Sequence, residues 1–133
     1  MKEQIQQRTK KLALEIIRLS EHLPNKSVGW TFSNQIIRSS TSVAANYRAV
    51  CRAKSDKDFI SKIETVIEEA DETLFWLEMI EESGVISDLN NQKSNITTLK
   101  SETNELISIF VSSVKTVKQR LNQKSSLPNQ KSK

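Results

Sequence analysis

The sequence predicts an all-α protein, folded as an antiparallel up-down-up-down four-helix bundle in one domain. Three observations support this. The 133 residues contain only two glycines and two prolines, too few for a turn-rich β fold. Apolar residues recur at three- and four-residue spacing along four long segments, and short polar links separate these segments. A chain of this length is long enough for one core but not for two.

The first apolar segment predicts an amphipathic helix over about residues 3–22. Its inward stripe consists of five aliphatic side chains and is widened by two more: Ile5, Leu12, Ile16, Leu19 and Leu23, with Leu14 and Ile17. Pro24 ends the helix, because proline disfavours helical geometry in the residue before it. The connection is expected to continue to Gly29.

The next two segments predict helices over about residues 30–52 and 56–83. The inward candidates of the second helix are Ile36, Ile37, Val43, Ala44, Tyr47 and Val50. Those of the third are Phe59, Ile63, Val66, Ala70, Thr73, Leu77 and Ile80. Ser55 suits the N-cap of the third helix, since acidic residues follow it in the first turn, where the helix dipole favours them. Gly84 supplies the C-terminal stop.

The fourth segment predicts a helix over about residues 88–122, capped by Ser87 or Asp88. Its seam keeps nearly heptad spacing: Leu89, Ile96, Leu99, Thr103, Leu106, Phe110, Val114, Val117 and Leu121. The bundle domain is therefore expected to span residues 1–122. Residues 123–133 have too little apolar surface to offset their ordering entropy, so we expect a flexible basic tail.

Charge is segregated along the chain, although the overall net charge is only +4. Residues 1–54 carry ten basic and three acidic residues, a net +7, whereas residues 55–88 carry two and eleven, a net −9. The remaining segments 89–121 and 122–133 each carry a net +3. Such segregation suits complementary helix pairing, within or between subunits, at least as well as it suits polyanion binding.

The residues that usually carry chemistry are scarce. Cys51 and His22 are each the only residue of their kind, so one chain can form neither a disulfide framework nor a Cys/His zinc site. No glycine-rich phosphate loop is present, and the acidic residues lack the Glu-x-x-His pairs of di-iron bundles. We therefore expect no enzyme activity, no metal and no cofactor.

The sequence also carries no sign of export or membrane insertion. Its first residues lack the apolar core of a signal peptide, and no run approaches the roughly 18 apolar residues that span a bilayer. We expect a cytoplasmic protein without a membrane partner.

The third helix carries more apolar surface than one inward seam needs. Phe75, Trp76 and Met79 lie around other faces of the helix than Leu77. Burying one large side chain contributes about 1.5–3 kcal/mol, which disfavours leaving several of them in water. Two interpretations stay open: a wide bundle core, or a contact with another subunit.

Three runs of the sequence resemble the 23S rRNA intervening-sequence proteins, also called four-helix-bundle proteins. They are Gln35 to Arg48 (QIIRSSTSVAANYR), Arg52 to Ile60 (RAKSDKDFI) and Glu69 to Glu78 (EADETLFWLE). Many members follow the asparagine with Ile-Ala-Glu-Gly, whereas here Tyr-Arg-Ala-Val follows Asn46. This departure is similar to an Asn-Tyr-Arg branch of the family.

The resemblance implies a closed, left-handed, up-and-down bundle that assembles as a homopentamer of bacterial type. The family is also similar to the accessory protein of diversity-generating retroelements, a basic pentameric barrel that binds nucleic acid and a reverse transcriptase. The family name describes where some of its genes lie and assigns no catalytic residues. A protein partner and an RNA or DNA partner are thus both implied.

Two hypotheses about function follow. In the first, the protein is a non-catalytic homo-oligomeric scaffold or adaptor, in which basic helices one and two face acidic helix three of a neighbour. Its candidate interface or structural residues are Arg38, Asn46, Tyr47, Asp71, Glu72, Phe75, Trp76 and Met79. In the second, a basic surface multiplied in a ring binds RNA or DNA. Its candidate residues are Lys10, Lys11, Arg48, Arg52 and Lys54.

The two halves of the run RSSTSVAANYRAVCRAKSDKDF, residues 38–59, support different hypotheses. Its first half contains small residues that allow close approach by another helix, and their hydroxyls can bond to carbonyls one turn back. We expect Arg38 and Asn46 to make polar contacts at helix edges with acids such as Asp71 or Glu72. The basic residues of the second half are the candidates for phosphate contact.

Overall fold

The computed structural model describes residues 1–86 and 91–126, with side chains as far as residue 124. Four α-helices contain most of these residues: α1 (Lys2–Ser20), α2 (Ser27–Val50), α3 (Asp56–Ser83) and α4 (Gln92–Ser126). The predicted all-α class is confirmed.

The four helices form an antiparallel bundle. Each helix packs along its neighbours in sequence, and α1 also packs, less extensively, against α4. Ion pairs join Lys100 of α4 to Glu81 at 2.7 Å and Arg120 to Asp56 at 3.0 Å. Because the later residue of α4 meets the earlier residue of α3, these two helices run in opposite directions. Helices α1 and α3 occupy diagonal corners, as do α2 and α4.

The core follows the predicted inward stripes closely. All predicted positions of α3 between Ile63 and Ile80 are buried, while Phe59 is half-buried and packs against the core. The α4 seam is buried from Ile96 to Val117, and Leu121 is half-buried. Tyr47 of α2 reaches the diagonal helix, where its ring lies 5.5 Å from that of Phe110.

Buried hydroxyls lie where α2 meets α3, as the small residues of the sequence predict. Ser39 and Thr73 are completely buried. Thr73 donates to the Ser39 hydroxyl at 2.9 Å, and Ser39 lies 3.3 Å from the Ile36 carbonyl one turn back. Each hydroxyl is thereby paired, which removes the cost of burying it.

The two side chains expected to widen the α1 stripe lie outside the core instead. Leu14 is 45% exposed and Ile17 is 37% exposed, whereas Leu12 and Ile16 are buried. Because α1 has only two neighbouring helices, its buried stripe is narrower than the sequence suggests, and residues one or two positions away point outward.

The link between α1 and α2 is shorter than predicted. Helix α1 ends at Ser20, and α2 begins at Ser27, so Gly29 lies in the first turn of α2. A Cβ atom at residue 29 would overlap the carbonyl oxygen of Pro24 and lie 2.8 Å from its carbonyl carbon. Only glycine, which lacks a Cβ atom, leaves room for the Pro24 carbonyl. The link can therefore fold back closely onto the first turn of α2.

The ends of α3 agree with the prediction. The Ser55 side chain accepts a hydrogen bond from the Asp58 backbone N–H at 3.0 Å, and Asp56 and Asp58 lie in the first turn. Gly84 ends the helix in the left-handed region, with φ of 71°. Both ends thus use the expected capping chemistry.

The fourth helix differs from the prediction at its end. It continues to Ser126 rather than stopping at residue 122, although no apolar residue follows Leu121 within it. The predicted caps Ser87 and Asp88, the seam residue Leu89 and the tail from residue 127 lie outside the described residues. Within the described ranges, none of the helices is long and apolar enough to cross a membrane.

Substituting Gly29 with alanine is expected to destabilise the protein by about 1–3 kcal/mol, the usual cost of overpacking. The added methyl group must displace the Pro24 carbonyl, which is backbone and yields little. Equilibrium urea unfolding measures the change in the free energy of unfolding. Gly84→Ala is the matched comparison, since nothing lies near residue 84 and only its positive φ is strained, at a cost of roughly 1–2 kcal/mol. An unchanged stability of Gly29→Ala would contradict the observed packing.

Tyr47 offers a single spectroscopic reporter of the core, because the chain has only one tyrosine. Burial raises the pKa of Tyr47 to about 12, against roughly 10 in an unfolded chain. The raised pKa stabilises the fold fully below pH about 10, and this contribution is lost as the pH rises through the folded pKa. Tyrosinate absorbance during alkaline titration should therefore rise later in the native chain than in urea. Coincident titrations in both conditions would be inconsistent with a buried Tyr47.

Candidate functional site

Three of the basic candidates from the sequence converge beside the turn between α2 and α3. Arg48 lies in the last turn of α2, and Arg52 and Lys54 follow where the helix has ended. A surface pocket of about 510 Å³ is lined by these three side chains together with two alanines and two residues of α3: Ala45, Arg48, Ala49, Arg52, Lys54, Asp58 and Lys62. We call this group the α2–α3 cation pocket.

The cation pocket carries four positive charges and one negative charge, a net +3. Its single acid, Asp58, is used internally, because it forms an ion pair with Lys62 and accepts the Lys54 backbone N–H at 3.1 Å. The Lys62 hydrogen bond, followed by the Lys54 one, lowers the pKa of Asp58 below its ordinary value. Within the described part of the chain, Arg48 and Arg52 form no ion pair.

Two basic side chains free of acidic partners, beside two alanines that leave space, can hold a phosphate group. Arginine presents several N–H donors in a fixed plane, which suits the oxygens of phosphate. The same positions also suit the end of α2, where partial negative charge on the last carbonyls favours cations. Part of this basic cluster is thus explained by the helix alone.

The other two basic candidates lie elsewhere. Lys10 and Lys11 are exposed on α1. Lys11 lines a separate groove between α1 and α4 that contains three acids: Glu15, Glu102 and Glu105. Arg8 closes that groove with ion pairs to Glu102 at 2.7 Å and Glu105 at 2.9 Å. The basic surface expected from the sequence therefore separates into two parts.

Lys62 belongs to the cation pocket but was not among the basic residues expected from the sequence. Lys62 lies one turn after Asp58 and pairs with it at i,i+4 spacing, a pattern readable in the sequence. Its approach to Arg48 and Arg52 depends on how α3 folds back along α2, which the local pattern does not contain.

The polar residues earlier in α2 serve the structure. Arg38 contacts Glu72 and lies 3.3 Å from Glu69, both on α3, so the predicted contact of Arg38 with Glu72 is present. The Arg38 hydrogen bond lowers the pKa of Glu72. Asn46 was expected to meet an acid and instead donates to the carbonyl and hydroxyl of Ser42, both at 2.8 Å. The Asn46 Nδ2 group is thus paired within its own helix.

The sequence left open whether Phe75, Trp76 and Met79 of α3 belong to a wide bundle core or to a contact with another subunit. The three side chains differ in this respect. Trp76 is half-buried, lies 5.9 Å from the ring of Phe32, and donates its indole N–H to Glu72 at 3.3 Å. It therefore belongs to the edge of the bundle core. Phe75 is 48% exposed and Met79 is 38% exposed. They share one face at i,i+4 spacing and remain outside the core.

Acidic residues surround this exposed apolar pair. Residues at spacings of three and four form one solvent-facing stripe along α3, named here the α3 outward face: Glu68, Asp71, Phe75, Met79 and Glu82. Its three carboxylates form no ion pair within the residues that the structure describes. An apolar centre with a charged rim is typical of a protein contact surface.

The two residues with the most reactive side chains, His22 and Cys51, lie far from each other. His22 is exposed just after α1, and Cys51 is a half-buried free thiol at the end of α2. These two ends are separated by the 24 residues of α2, a length of about 36 Å. In the described ranges, no group of three or more His, Cys, Asp or Glu side chains is arranged to hold a metal ion.

Comparisons with known proteins agree with the helical bundle. A model of the 23S rRNA-intervening sequence protein family matches residues 1–112. A crystal structure of a protein with unknown function from the S23 ribosomal protein family of Bacteroides thetaiotaomicron VPI-5482 is 30% identical in sequence. That likeness covers 84% of this chain and 98% of the other, with a TM-score of 0.72. A comparison with curated proteins found no match. The chain therefore belongs to the 23S rRNA-intervening sequence protein family.

Proposed function

We propose that the protein is a homo-oligomeric helical-bundle scaffold of the cytoplasm that carries out no chemistry of its own. The observation that supports this most is the α3 outward face. The inward positions of α3 already fill the core, and Phe75 and Met79 remain 48% and 38% exposed, although the Phe75 ring meets that of Trp76 edge-on with centroids 4.9 Å apart. Covering them on another subunit would remove their apolar surface from water, at about 25 cal/mol per Å².

The position of the reactive residues supports a non-catalytic role. A cysteine nucleophile needs a base within hydrogen-bonding reach. Cys51 and His22 lie at opposite ends of α2. Burial of only part of the Cys51 side chain against the core agrees with a packing role.

The purified protein is expected to form an oligomer at micromolar concentration, with a mass several times the 15.2 kDa of one chain. The family resemblance implies five copies. Native mass spectrometry, supported by light scattering after size-exclusion chromatography, measures the mass. A monomer across the micromolar range would refute the scaffold proposal.

A second candidate function is RNA or DNA binding, which the α2–α3 cation pocket favours. Its net charge of +3 and its unpaired arginines provide phosphate contacts. A ring would repeat the pocket in each subunit, and several weak contacts to one nucleic acid then add through avidity. Contact with phosphates rather than bases makes such binding largely independent of sequence and strongly dependent on salt.

Replacing Arg48, Arg52 and Lys54 with glutamine should weaken binding of a structured RNA and reduce its salt dependence. Loss of three phosphate contacts lowers the slope of log affinity against log salt by up to about 3. Fluorescence anisotropy at several salt concentrations measures both quantities, and native mass spectrometry shows that the oligomer persists.

The matched control removes the same charge elsewhere, through Lys93→Gln, Lys115→Gln and Lys124→Gln on exposed positions of α4. This control should bind RNA almost as the unchanged protein does. Equal weakening in both triple variants would show that net charge, and not the cation pocket, governs binding. Absence of RNA binding by the unchanged protein at low salt would remove this second candidate.

A further inference from the structure

The α3 outward face contains one of two exposed apolar pairs that lie at diagonal corners of the bundle. The other is on α1, where Leu14 and Ile17 share one face at i,i+3 spacing. We propose that these two surfaces are partners: the outward face of α1 in one copy docks onto the α3 outward face of the next copy. This inference rests on the proposed homo-oligomeric function and specifies the surfaces that form the contact.

The α1 surface has the same organisation as the α3 outward face but the opposite charge. Its exposed residues form the α1 outward face: Lys10, Lys11, Leu14, Ile17 and Arg18, followed by one exposed acid, Glu21, at the end of the helix. Leu14 is 45% exposed and Ile17 37% exposed, close to the values of Phe75 and Met79. Three basic side chains flank the pair. None of them forms an ion pair among the described residues.

Charge decides which surfaces can meet. Contact between two α3 outward faces would place three carboxylates against three carboxylates, and contact between two α1 outward faces would place cations against cations. Like charges across an interface are strongly unfavourable, whereas opposite charges steer association and fix register. The α1 outward face therefore fits the α3 outward face and disfavours its own copy.

The position of the two surfaces in the bundle permits both contacts at once. Helices α1 and α3 lie at diagonal corners and do not pack against each other, so their outward faces look in different directions. One copy can use its α1 face on one neighbour and its α3 face on another. Such a head-to-tail contact is heterologous, and it closes into a ring when the rotation between copies divides a full turn.

Two variants, each blocked on one face, test this pairing. Leu14→Glu with Arg18→Glu removes one apolar residue of the α1 face and lowers the charge of that face by three, and Phe75→Glu with Met79→Glu removes the apolar centre of the α3 face. All four residues are exposed, and glutamate is a good helix former, so the bundle should fold. Each variant alone should be a 15.2 kDa monomer by native mass spectrometry.

An equimolar mixture of the two variants should form a 1:1 heterodimer. One variant retains an intact α3 face and the other an intact α1 face, so one contact can form and no further copy can add. Recovery of the heterodimer also shows that both variants are folded. The control is Val111→Glu, which introduces a glutamate at an exposed apolar residue of α4 outside both faces and should leave the oligomer unchanged.

The outcomes separate the two proposals. A monomeric unchanged protein would refute the homo-oligomer and, with it, this pairing. An oligomeric unchanged protein whose blocked variants keep the same mass would refute the pairing and leave the homo-oligomer standing. Monomeric variants that do not combine when mixed would also refute it, because the two faces would then not be partners.

Discussion

The close contact between α2 and α3 determines where the remaining surfaces lie. Ser39 and Thr73 meet through buried hydroxyls 2.9 Å apart, which requires small side chains on both helices and fixes their register. This register brings Arg38 beside Glu72 at the rim of the contact. Farther along, it brings the start of α3 beside the end of α2, where the cation pocket forms. A larger residue at position 39 would separate the helices and disperse these contacts.

A bundle corner leaves each helix with an outer face that the core cannot use. On α3, the inward positions are filled by small and aliphatic side chains, and Trp76 closes the edge toward α2 by packing near Phe32. Phe75 and Met79 then remain outside. Their exposure follows from geometry, since a helix with two neighbours buries only part of its circumference. Within the single chain, the edge-on contact of Phe75 with Trp76 uses only part of this apolar surface, and the proposed contact with another chain would cover the exposed part.

The sequence predicted the helices and most of the core because these depend on local periodicity and capping. The seam from Ile63 to Ile80 and the caps of α3 are examples. It did not predict that Leu14 and Ile17 would be exposed, because the width of a buried stripe depends on how many helices pack against it. Nor did it predict that Lys62 lies near Arg48 and Arg52, or that Gly29 lies against Pro24. These contacts depend on how separate segments fold back on one another, which spacing along the chain does not specify.

The proposed subunit contact affects nucleic-acid binding at the cation pocket through charge. A single subunit presents a stripe of three carboxylates on α3 as well as the basic residues of α1 and the cation pocket, and that stripe repels a polyanion. In the proposed assembly, the α1 outward face covers the α3 outward face, so these opposite charges neutralise each other in the contact. The cation pocket takes no part in that contact and is repeated once in each copy. The contact covers three carboxylates and three cations in each copy, so the net charge of +4 per chain is unchanged, but the acidic stripe no longer faces a polyanion. Each copy also adds one cation pocket to the particle, so nucleic-acid binding by this protein would depend on its oligomeric state.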